Sequence, residues 1–106
     1  MTREERIQYR NAMKVIYYKI IERRGAQAVT LEQREAIILA VDAMKRRMEE
    51  TGLQLRKHII VLQYHITYPT ATLFKDRITM DALEAGILAM QWMIEQDIYD
   101  VNGVQI

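Results

Sequence analysis

One pattern occurs twice in this chain, and that duplication limits what it can fold into more than any other feature. Residues 30–44 and 79–93 are identical at seven of fifteen aligned positions, 49 residues apart: Thr30/Thr79, Glu35/Glu84, Ala36/Ala85, Ile38/Ile87, Leu39/Leu88, Ala40/Ala89 and Met44/Met93. A period of this length is the mark of a repeated supersecondary unit. The expected chain is therefore a single helical domain over residues 1–106, built from two copies of one αα-hairpin, 1–52 and 53–106.

The spacing of apolar residues supplies four helices. Tyr9, Met13, Ile16 and Ile20 step by 4, 3 and 4, and so do Ile37, Val41, Met44 and Met48; each set marks one helical face. Thr2 with Glu5 and Thr30 with Gln33 have capping-box spacing, and Gly25 and Gly52 suit helix termination. This predicts helices from about Thr2 to Arg24 and from about Leu31 to Glu50. Leu55, Ile59, Leu62 and Ile66 repeat the step. The β-branched run at Ile59, Ile60 and Val61 also fits a strand, but the periodicity favours a helix ended by Pro69. Val61, Tyr64 and Ile66 align with Val15, Tyr18 and Ile20, which extends the duplication with a short insertion in the second loop, Pro69 to Ile78. The fourth helix is predicted after Thr79 as N-cap, with Leu83, Ile87, Met90, Ile94 and Ile98 as its core stripe and Asn102-Gly103 as its end. Fold class is thus all-α, an up-down arrangement of four helices in which exchange of helices between chains would satisfy the same pattern.

Composition removes several functions. There is no Cys, hence no disulfide, thiolate zinc site or cysteine nucleophile. Neither a signal peptide nor a membrane-spanning run is visible, so a soluble cytoplasmic protein is expected. His58 and His65 lack carboxylates at ligand spacing, and no phosphate loop, nucleophile elbow or dinucleotide fingerprint occurs. Glu35 and Glu84 would approach one another only if the hairpins pack about a twofold axis, and a structural role suits them better. No enzyme, metal or cofactor is expected.

Two features remain. Net charge is only +1, yet residues 1–25 carry +4, 26–52 carry −1, 53–78 carry +3 and 79–106 carry −5. Arg6, Arg10 and Lys14 form a line on the first helix, with Tyr17, Tyr18, Arg23 and Arg24 beyond it and Arg56 and Lys57 at the start of the third. Guanidinium forks and aromatic rings together suit a phosphorylated ligand such as a nucleotide, although such rows are more often solvated faces. Second apolar stripes, Ile7, Tyr18 and Ile21 on the first helix and Leu88, Trp92 and Tyr99 on the fourth, point to an interface. Ala82, Ala85, Gly86 and Ala89 permit close helix approach.

The Thr-x-x-x-x-Glu-Ala-x-x-x-Ala-x-x-x-Met pattern, from Thr30 to Met44 and from Thr79 to Met93, resembles the closing helix of short accessory proteins of phages and prophages of Gram-positive bacteria. The resemblance implies a non-enzymatic phage-type protein of the host cytoplasm and assigns no functional residue. More loosely, size, helical content and expected assembly are similar to those of phage sponge proteins that sequester nucleotide immune signals, which implies counter-defence. The function expected from sequence is a homo-oligomer that sequesters a small anionic, nucleotide-type signal. The alternatives are a protein-interaction module, an inhibitor or adaptor docking through an apolar helix face, and a nucleic-acid-binding regulator, which the near-neutral charge disfavours.

Overall fold

Two helix–strand–helix units follow one another in the computed structural model, which describes residues 1–98, the side chains of 97 and 98 excepted. Helix α1 (Arg3–Lys14) runs into a π-helical segment, Val15–Ile21; strand β1 (Gln27–Ala28) and α2 (Leu31–Thr51) complete the first unit. The second comprises α3 (Arg56–Thr67), β2 (Thr72–Leu73) and α4 (Arg77–Ile98). The protein is mostly helical. The short strands pair antiparallel, Gln27 opposite Leu73 and Ala28 opposite Thr72, so the two interhelix loops meet at one end. No helix among the described residues is long and apolar enough to cross a membrane.

Local chemistry sets the boundaries. Both capping boxes form: Thr2 Oγ1 accepts from the Glu5 N–H at 3.1 Å, and Thr30 Oγ1 from the Gln33 N–H at 3.2 Å, with the return bonds from Glu5 and Gln33 in place. Gly52, at φ 75°, takes the left-handed conformation that ends α2, and its N–H bonds to Met48 O. Residues 56–67 are helical, with Leu55, Ile59 and Leu62 buried.

Two expectations are corrected. The first helix does not run regularly to Arg24. After Lys14 it widens, the Glu22 N–H bonding to Tyr17 O five residues back, and it ends at Ile21. Such a widened turn absorbs an extra residue that a regular helix has no place for. The fourth helix starts one turn before the expected point. Asp76 Oδ1 accepts from the Thr79 N–H at 2.7 Å, so Asp76 supplies the cap and Thr79 lies buried inside α4. The expected features at Ile98, Tyr99 and Asn102-Gly103 lie outside the described side chains and residues.

Helices α2 and α4 form the central pair, with α1 and α3 each against both. Their crossing is tight: a Cβ added to Gly86 would stand 2.9 Å from Ala40 Cβ. Around it Ile16, Ile20, Ile37, Met44, Leu62, Leu73, Leu83 and Met90 are all but fully buried, each worth ~1.5–3 kcal/mol of transfer free energy. Burial recurs more closely at a step of 46 than at 49. Ala36 and Ala82, Ile37 and Leu83, Ala43 and Ala89, and Met44 and Met90 are buried pairs, and the caps Thr30 and Asp76 stand the same 46 apart.

Open carbonyls at the ends of the first helices are closed by side chains. In the first unit Gln33 Nε2 donates to Lys19 O (3.1 Å), Gln27 Nε2 to Ile20 O (3.3 Å) and Lys75 Nζ to Ile21 O (3.1 Å). In the second, Arg34 Nε donates to Ile66 O at 3.0 Å. Each unit thus lends a cation to the negative helix end of the other.

Candidate functional site

Beside the paired strands each unit forms a cleft between its two helices, and the two clefts differ in chemistry. The first, about 510 Å³, is lined by Tyr18, Lys19, Arg23, Thr30, Glu32 and Gln33. Its charged groups and Gln33 are engaged with one another or with neighbouring residues. Lys19 pairs with Glu32, Gln33 reaches Lys19 O, and Arg23 Nη1 donates to Gln27 Oε1 at 3.3 Å.

The second, about 390 Å³, is lined by Ile60, Val61, Tyr64, His65, Phe74 and Asp76 together with Thr72 and Thr79. His65 occupies the position 46 residues after Lys19, and it is only 6% exposed. Its Nδ1 is buried with no hydrogen-bond partner, a costly state that calls for an explanation. Burial pushes the imidazole below its ordinary pKa, and the Asp76 carboxylate opposes this. Asp76 is itself held below the usual carboxylate range, chiefly by the Thr79 N–H. The cleft therefore presents a neutral imidazole, a donor at one nitrogen and an acceptor at the other, and a carboxylate, within apolar and aromatic walls. Tyr64 packs edge-on against His65 at 5.3 Å and against Tyr68 at 5.1 Å.

Around this cleft Ile60, Tyr64, Tyr68, Phe74 and Ile78 are each between 53% and 67% exposed. Ile60, Tyr64 and Tyr68 step by four along the outer face of α3, a row the sequence carried in plain view. It escapes notice because Tyr64 is matched to Tyr18 as a repeat position and the loop residue Phe74 belongs to no stripe.

The residues singled out from sequence are dispersed. Arg10, Lys14, Arg24, Arg56 and Lys57 are exposed, and Arg6 is half-buried. Tyr18 and Arg23 share the first cleft. Tyr17 packs edge-on against Tyr18 at 5.0 Å, and the neighbouring Glu22 carboxylate raises its phenol pKa. Of the expected interface, Ile7 and Leu88 are exposed, Ile21 and Trp92 are half-buried, and Tyr99 lies outside the described residues. Glu35 and Glu84 are both exposed. Among the described residues no group of three or more His, Asp or Glu side chains is placed to hold a metal ion. The loops, residues 22–30 and 68–76, also lack the alternating carboxylates of a helix–loop–helix calcium site. No protein-family model, no curated protein and no solved structure matches this chain.

Proposed function

We propose that this chain is a non-catalytic binding protein, two copies of one helix–strand–helix unit in a step of 46, whose working surface is the aromatic face of the second copy. The observation that carries this reading is the largely exposed cleft wall of Ile60, Tyr64 and Phe74, extended by Tyr68 packed on Tyr64 and by the exposed Ile78 on the first turn of α4. A contiguous aromatic patch on a folded domain is what protein interfaces are made of. The partner that the charges favour is a second copy of the chain. The first helix carries Arg10 and Lys14 on α1 and the exposed Tyr18 on its π-helical segment, whereas Asp81 and Glu84 stand exposed on α4. A contact between the first unit of one copy and the second unit of the next brings opposite charges together, and being heterologous it closes into a ring or extends. Sedimentation velocity across the micromolar range tests this. The wild type is expected to self-associate, less so as salt rises. Ile78→Asp should yield monomers, and Lys14→Glu should weaken association that Glu84→Lys in the same chain restores. A wild type that stays monomeric throughout overturns the self-association reading.

The second reading is the phage-type one, a homo-oligomer in the host cytoplasm that sequesters a nucleotide-type signal. The first cleft favours it, since Tyr18 and Arg23 offer a ring and a guanidinium side by side. Native mass spectrometry of protein from cells with nucleotide-signalling defence is the test. A co-purifying mass of nucleotide size, lost in Arg23→Ala, supports it; a clean protein mass removes it.

A further inference from the structure

We propose that the His65 cleft is a socket for an aromatic hydrogen-bond donor, and that the donor is the Tyr18 phenol of a second copy. The inference rests on the self-association reading and goes further by naming the two groups that meet. The socket's chemistry comes from three observations. His65 is almost fully buried, yet its Nδ1 has no partner and it lines an open cleft. The charged group in the cleft lining is Asp76, an acceptor, so an anion is repelled and a donor is favoured. The walls are Ile60, Val61, Tyr64 and Phe74, which suit the body of a ring better than a polar stem. Lys57 and Arg77 at the ends of the adjoining helices, exposed and positive, weigh against a cationic guest. A neutral ring bearing one O–H or N–H satisfies all of these conditions, with the imidazole Nδ1 accepting.

The tyrosines of this chain narrow the choice of donor. Tyr17 stands beside the Glu22 carboxylate, Tyr9 is buried, Tyr64 and Tyr68 belong to the socket face itself, and Tyr99 lies outside the described residues. Tyr18 is 66% exposed and follows Arg10 and Lys14 along the first helix. Seating Tyr18 in the socket brings that basic row toward the acids of α4, Glu84 and the Asp81 that Arg77 approaches at 4.0 Å, and one contact employs both the orphan imidazole and the opposite charges of the two units.

The test is a double-mutant cycle on self-association. Tyr18→Phe, which keeps the ring, and His65→Leu should each weaken association about fivefold, the size of one net neutral hydrogen bond. The double variant should be no weaker than either single one. Tyr18→Phe associating as tightly as wild type, or the two losses multiplying, overturns the proposal. Because His65→Leu removes a core side chain, a second measurement uses the full chain carrying Lys14→Glu, a substitution in the other unit. Phenol and toluene are titrated while the His65 imidazole resonances are followed. Phenol should bind about fivefold more tightly than toluene and move the Nδ1 signal; equal binding, or tighter binding of benzoate, overturns the socket chemistry. A wild type that remains monomeric while phenol is still preferred ends the Tyr18 assignment and the self-association reading together, and leaves the donor socket standing.

Discussion

The two helix–strand–helix units share their interior and differ on their outside. Tyr18 and Tyr64, 46 residues apart, are exposed at the rims of corresponding clefts, and Ile16 and Leu62 beneath them are both fully buried. Around the first rim stand Lys14, Glu22 and Glu32; the positions 46 residues later are Ile60, Tyr68 and Ile78. In one cleft Lys19 is closed by Glu32, whereas in the other His65 is left with a bare nitrogen. The lesson is that one scaffold supports two different clefts, one whose charged groups pair with their neighbours and one that leaves a buried imidazole nitrogen without a partner.

The comparison is tested first at its shared base. Ile16→Ala and Leu62→Ala each remove a fully buried side chain, and each should cost about 2–5 kcal/mol in urea unfolding. A loss confined to one unit would break the parallel. Gly86→Ala should cost about 1–3 kcal/mol, since its Cβ would press on Ala40, whereas the facing Ala40→Gly should lose only about 1 kcal/mol of helix propensity. Removing the caps, Thr30→Ala and Asp76→Ala, should cost about 1 kcal/mol each, measured by thermal melts at neutral pH. Smallest, Lys19→Met in the first cleft should change stability by less than about 1 kcal/mol, because its ion pair is exposed.

The pH dependence sharpens the difference between the clefts. His65 has a folded pKa below its unfolded value, so below about pH 6.5 the unfolded chain binds the proton first. Stability owed to the neutral imidazole is complete above that pH and is lost as pH falls from there through the folded pKa. The groups facing it are Tyr64 on α3 and Asp76 ahead of α4. Unfolding midpoints should decline between neutral and mildly acidic pH in wild type and stay flat in His65→Leu; an identical decline in both would detach the effect from this cleft.

Much of the helical frame was legible because it rests on local chemistry. Both capping boxes, the glycine stop at Gly52 and the apolar steps through Ile37 and Ile59 form as their spacing implies. The register of the second unit was not legible. An Ala-rich helix shifted by 3 residues presents nearly the same face, so identity favoured a step of 49 while burial recurs more closely at 46. The cap made the choice: Asp76, one turn earlier, competes with Thr79 and wins with a charged acceptor near the helix N-terminus. The π-helical turn at Val15–Ile21 escaped for another reason. Its open carbonyls are held by Gln33, Gln27 and Lys75, the last of them 54 residues away, and no local window contains that. The exposed row on α3 was readable, but the orphan nitrogen of His65 exists only once β2 and α4 close around it.

The crossed cations have a consequence for the life of the chain as a polymer. Lys75 closes the helix ending at Ile21, and Arg34 closes the one whose Ile66 carbonyl lies open. Neither half finishes its own first helix, so each arrives during synthesis with an end that only its sibling can complete. A ribosome that has released residues 1–52 has made a unit still waiting for Lys75. The carbonyl of Ile21 therefore gains its lysine only after residue 75 has been made.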